Sequence, residues 1–143
     1  MRRDHQWITR KLDFLLSKYF PDIKLVNPIE IKFGREAKFR FGSIKLFKHK
    51  HFWGKPQKSI ITITSMFAKE KIPAKVVEYT ICHELCHYVH GFSSSNKRMF
   101  KYPHHGGIVN KELLRRGAGD LTFAYKKWLK NYRNQILKKK ISL

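Results

Sequence analysis

The sequence predicts an α+β domain in which a small antiparallel sheet packs against several helices. Three observations carry that expectation. Segments of alternating apolar and polar residues fall in the first half of the chain, and helical periodicities flank them on both sides. A length of 143 residues with 42% hydrophobic content suits one core. No repeat or linker composition divides the chain.

Taken in order, residues 4–20 place Ile8, Leu12, Leu15, Leu16 and Tyr19 at helical spacing, and Pro21 ends the run. Residues 29–33 set Ile29, Ile31 and Phe33 against Glu30 and Lys32, the alternation of a strand. Residues 38–47 alternate again, Phe39 and Phe41 against Lys38 and Arg40, with Gly42 expected to bulge or bend the strand. Residues 59–65 are β-branched and apolar and give a third strand. Pro73 opens a helix by favouring its first position. On that helix Val77, Ile81, Leu85 and Tyr88 share one side and His83 and His87 lie nearly opposite, so a half-buried helix is expected. Gly91 and Ser93-Ser94-Ser95-Asn96 end it, and residues 107–116 form another helix closed by Gly117 and Gly119. Asp120 caps a last helix over 121–138, with Leu121, Tyr125, Trp128, Tyr132 and Ile136 as its stripe. Residues 1–119 thus read as the domain proper, and 120–143 as a basic helix and tail packed on it.

The chemistry is concentrated in His83-Glu84-Leu85-Cys86-His87, an H-E-x-x-H pattern on the predicted central helix. Residues i and i+4 share a helix face, so His83 and His87 can offer two imidazole nitrogens to one metal ion. Glu84 projects beside them as a candidate general base. A catalytic zinc ordinarily takes three protein ligands. Four residues downstream could supply the third: His90, His104, His105 and Glu112. His105 leads, because Gly106 and Gly107 let the backbone approach closely after a loop long enough to fold back. Cys86 points to one side of the pair and reads, with Cys82, as a packed thiol.

Composition narrows the setting. Lys and Arg number 31 against 10 Asp and Glu, a net charge of +21, which points to a polyanionic partner. Two cysteines on one helix make no disulfide framework. No apolar stretch approaches the roughly 20 residues that span a bilayer, and the N-terminal residues lack the apolar run of a signal peptide. A soluble, cytoplasmic monomer is the expectation.

The stretch from Ile72 to His87 resembles the active-site helix of SprT-like (Spartan-type) zinc metallopeptidases, a family that includes proteases digesting DNA–protein crosslinks. His105-Gly106 is similar to the family's H-G-x-x-F element, and residues 59–65 to the strand before the helix. The resemblance covers roughly residues 5–117. It implies a zincin-like minimal metallopeptidase fold, one catalytic Zn²⁺ on His83, His87 and His105, Glu84 as general base, and a protein or peptide substrate. Val109 stands where the family carries an aromatic, and no cysteine follows Cys86 to match the zinc ribbon of many members. An extended substrate is expected to pair with the strand near residues 59–65.

Two basic regions are candidates for nucleic acid, single-stranded DNA foremost. Residues 37–69 hold no acidic residue, and within them Lys48, Lys50 and Lys55 surround Phe52 and Trp53, cations for phosphates beside rings on which bases can stack. On the last helix Lys126, Lys127 and Lys130 lie off the apolar stripe.

Overall fold

The computed structural model describes residues 2–47 and 57–141, with side chains as far as Lys139. The first helix, α1 (His5–Tyr19), begins where the Asp4 carboxylate accepts the Trp7 N–H at 2.8 Å. It buries Ile8, Leu12, Leu15 and Tyr19, four of the five predicted positions.

Strands β1 (Ile29–Phe33), β2 (Gly42–Phe47) and β3 (Lys58–Ile63) form one sheet in the order β1-β3-β2. The sheet is mixed rather than antiparallel. β3 runs parallel to β1, with Ile31 opposite Ile61, and antiparallel to β2, with Ile44 opposite Ile61. The most apolar strand takes the centre, where Ile61 and Ile63 are fully buried. The second strand is also shorter than its alternation suggests. The Thr64 hydroxyl accepts the Ala37 N–H at 2.8 Å and donates to the Ala37 carbonyl at 3.0 Å. Those bonds fold residues 35–41 around Thr64 and leave only Gly42 onward to pair.

Helix α2 (Ala74–Val89) runs through the middle of the molecule, with Pro73 as its N-cap residue rather than its first turn. It is enclosed, not half-buried. Val77, Ile81, Leu85 and Tyr88 form the predicted core face, while Cys82 and Cys86 on other faces are equally inaccessible. The cover comes from α3 (Ile108–Arg115) and α4 (Gly119–Ile141), both packed against α2. Tyr125 of α4 stacks on Tyr79 of α2 at 4.1 Å, and Trp128 and Tyr132 set their rings at 5.5 and 5.8 Å from Phe41. The stripe read from the sequence therefore docks on the domain, and Asp120 sits inside the first turn of α4 instead of capping it. Among the described residues no helix is long and apolar enough to cross a membrane.

Candidate metal centre

Two turns of α2 and the loop before α3 build the site. His83 and His87 lie one turn apart on α2 with ring centroids 4.7 Å from each other. The loop brings His104 over them, its Nε2 3.2 Å from His83 Nε2 and 3.0 Å from His87 Nε2. The third histidine is thus His104, not the expected His105. Gly106 and Gly107 both adopt positive φ, 71° and 66°, and turn the chain directly into α3. Val109 and Leu113 pin α3 into the core at 4% and 0% exposure. With the turn fixed from that side, His104 faces inward and His105 points out, its ring edge-on to Tyr102 at 6.0 Å.

The other two candidates are engaged elsewhere. His90, 1% exposed, puts its Nε2 3.1 Å from Glu112 Oε1. Glu112 also accepts from Arg115 at 2.6 Å and Arg116 at 2.9 Å, and Arg116 continues to Asp22 at 2.6 Å. This network ties the C-terminal end of α2 to α3 and to the segment after α1.

The three imidazoles suit a metal ion. A neutral imidazole carries one N–H and one lone pair, so His104 Nε2 can share a proton with only one of its two neighbours. Three converging Nε2 atoms are left unsatisfied by one another but satisfied by a cation. Tetrahedral zinc with ordinary Zn–N bonds sets its nitrogens about 3.3 Å apart, close to the spacing found. Burial, reinforced by the neighbouring imidazoles, pushes His83 down to about 3 and His87 to about 4, so both are in the neutral form that ligates. The buried His87 Nδ1 meets no hydrogen-bond partner.

Beside them Glu84, 6% exposed, is pushed up to about 7 by burial, with Arg40 pulling weakly the other way. Glu84, His83, His87 and His104 face a cleft of about 450 Å³ walled by Arg40, Phe41 and the start of β2. Gly42 is needed there for close approach: a Cβ would come within 2.8 Å of Thr80 Cγ2 and 3.6 Å of Glu84 Cγ. Its role is to seat β2 against α2, not to bulge the strand. β3 is hydrogen-bonded on both sides and offers no edge to a substrate, whereas among the described residues β2 pairs with β3 as its one strand neighbour.

Sequence reasoning missed His104 as the inward residue, together with Arg40 and Tyr125 as cleft walls. His104-His105-Gly106-Gly107 carried the signal that a histidine turns back here, but not which one. Lys126, Lys127 and Lys130 are exposed on α4 as expected. Lys48, Lys50, Phe52, Trp53 and Lys55 lie outside the described residues. No protein-family model, curated protein or solved structure matches the chain.

Proposed function

We propose that the protein is a zinc-dependent endopeptidase. One observation carries the reading: a buried glutamate raised to about 7 adjoins three converging imidazoles on the floor of an open cleft. Three donors among the described residues, with solvent access beside them, favour a catalytic over a structural site, since structural zinc is closed by four protein ligands.

His83, His87 and His104 would hold the ion. Zinc, when bound, supplies Lewis acidity toward a carbonyl and toward water. Glu84, buried beside the histidines and open to the cleft, takes the proton of the attacking water and delivers it to the leaving amine. The outer edge of β2 at Gly42, Ser43 and Ile44, which pair only with β3 among the described residues, holds the scissile segment extended, as these residues line the cleft directly. Tyr79 and Tyr125, stacked on one another, form an apolar wall that shields the proton transfers.

The basic surface favours substrates held on nucleic acid, DNA–protein crosslinks being one such class. Lys126, Lys127 and Lys130 are exposed on α4, and the chain carries +21. Glu84→Gln is the decisive variant. It keeps zinc at the wild-type stoichiometry and loses peptide cleavage by at least about a hundredfold, the scale of general-base catalysis. Undiminished cleavage by Glu84→Gln would overturn the peptidase assignment.

A further inference from the structure

A second concavity of about 770 Å³ lies between α4 and the residues preceding α2. Its floor is apolar, formed by Met66, Ile72, Trp128 and Ile136. Both walls are fixed. The Arg3 guanidinium donates to the carbonyls of Phe67 at 3.2 Å and Ile72 at 2.7 Å. The Tyr132 hydroxyl donates to the Lys38 carbonyl at 2.8 Å, tying residues 37–41 to α4.

This groove and the metal cleft meet at one shared lining residue. Phe39, 74% exposed, lines both, with Lys38 on the groove side and Arg40 on the cleft side. Its charge has one sign: Lys38, Lys69, Lys71 and Lys139 line it, and no Asp or Glu does. Lys69 lies 3.6 Å from Glu36, but among the described residues neither Lys38 nor Lys71 meets a carboxylate. A preformed apolar floor with a rim of one charge sign, in which Lys38 and Lys71 meet no carboxylate among the described residues, suits apolar side chains carried on an acidic chain. A nucleic acid strand fits less well. Trp128 and Tyr132 stack on each other at 4.8 Å and pack against Phe41, so their faces are already used, and the rest of the floor is mainly aliphatic.

We propose that this groove is a substrate-docking site for an acidic polypeptide segment bearing interleaved apolar residues, which leads across Phe39 into the metal cleft. The proposal rests on the peptidase reading and names the substrate class for the same site. The test uses the full-length, zinc-loaded Glu84→Gln protein and fluorescein-labelled peptides of repeated Glu-Leu-Glu-Glu or the isosteric Gln-Leu-Gln-Gln, read by fluorescence anisotropy. The acidic peptide binds about tenfold more tightly, and Lys38→Glu with Lys71→Glu abolishes that gain while circular dichroism and zinc content stay unchanged. Lys38→Gln with Lys71→Gln removes most of the gain without reversing charge, and serves if the reversal fails to fold.

Equal affinity for the two peptides, or a gain that survives both lysine pairs, would overturn the proposal. So would single-stranded DNA that displaces the acidic peptide and itself depends on Lys38 and Lys71, which would assign the groove to nucleic acid. Acidic-peptide binding without any cleavage by the wild-type protein would sink the peptidase reading and leave the groove standing. Cleavage without the affinity gain would do the reverse.

Discussion

At the scale of single residues, the site turns on which of two adjacent histidines faces the ion. His104 Nε2 lies within 3.2 Å of both α2 imidazoles, while His105 is exposed and packs edge-on to Tyr102. His104→Ala should therefore lose most bound zinc in direct metal analysis after dialysis, and His105→Ala should keep it. Retention by His104→Ala with loss by His105→Ala would reverse the ligand assignment. The two α2 ligands were legible in the sequence because i, i+4 spacing on a helix fixes a shared face. The third was not, because neighbouring loop residues are separated only by backbone torsions. Here those are set by Gly106, Gly107 and the burial of Val109, which no periodicity encodes.

At the scale of elements, the buried carboxylate of Glu112 joins the end of α2, α3 and the segment after α1 through His90, Arg116 and Asp22. Burial works to raise the Glu112 carboxyl, but the hydrogen bond with His90 and the charges of Arg116 and Arg115 outweigh it and hold the group below its ordinary value of 4.5. A carboxylate lowered in the folded state contributes stability that is present above pH 4.5 and is lost as pH falls through the lowered folded value. Glu112→Gln should cost about 2 kcal/mol near neutrality, because it takes the carboxylate charge away from the hydrogen bond with the largely buried Arg116, which among the described residues keeps only Asp22 as an ion-pair partner. It should also flatten the acid limb of a stability–pH curve measured by urea denaturation. An acid limb as steep as that of the wild type would remove Glu112 from the linkage. Only the Glu112–Arg115 and Glu112–Arg116 contacts follow i, i+3 and i, i+4 spacing; the links of Glu112 to His90 and of Arg116 to Asp22, which lies 94 positions away, could not be read from it. The elements themselves were largely legible: α1, β1, β3 and α4 follow their apolar periods. The failures have a common cause, long-range competition. Thr64 captures Ala37 and shortens β2, β3 inserts between β1 and β2 and makes the sheet mixed, and α3 and α4 cover faces of α2 outside its apolar stripe, Tyr79 among them.

At the scale of the whole molecule, exposed cations gather on two sides of α4. At 100° per residue, Lys126 and Lys130 project opposite Trp128 and Tyr132, with Lys127 flanking them, whereas the apolar groove opens beside those two rings. A face of exposed lysines, with Phe123 and Leu137 exposed among them, suits a phosphate backbone, which asks for charge rather than a shaped groove. Each phosphate neutralised on a single strand contributes about −0.7 to the slope of log K against log salt. Lys126→Glu, Lys127→Glu and Lys130→Glu together should therefore weaken single-stranded DNA binding and make that slope shallower by about 2, as read from anisotropy titrations across a salt series. The same triple variant should leave the preference for the acidic peptide intact, because Lys38 and Lys71 lie on the groove side. If the +21 charge served solubility alone, binding would track net charge wherever it is removed. Reversing any three exposed cations, for example Lys24, Lys32 and Lys97, would then change the slope equally. A slope that responds to the α4 lysines and not to those three assigns the DNA contact to α4. Equal responses would return the basic composition to a diffuse field without a binding face.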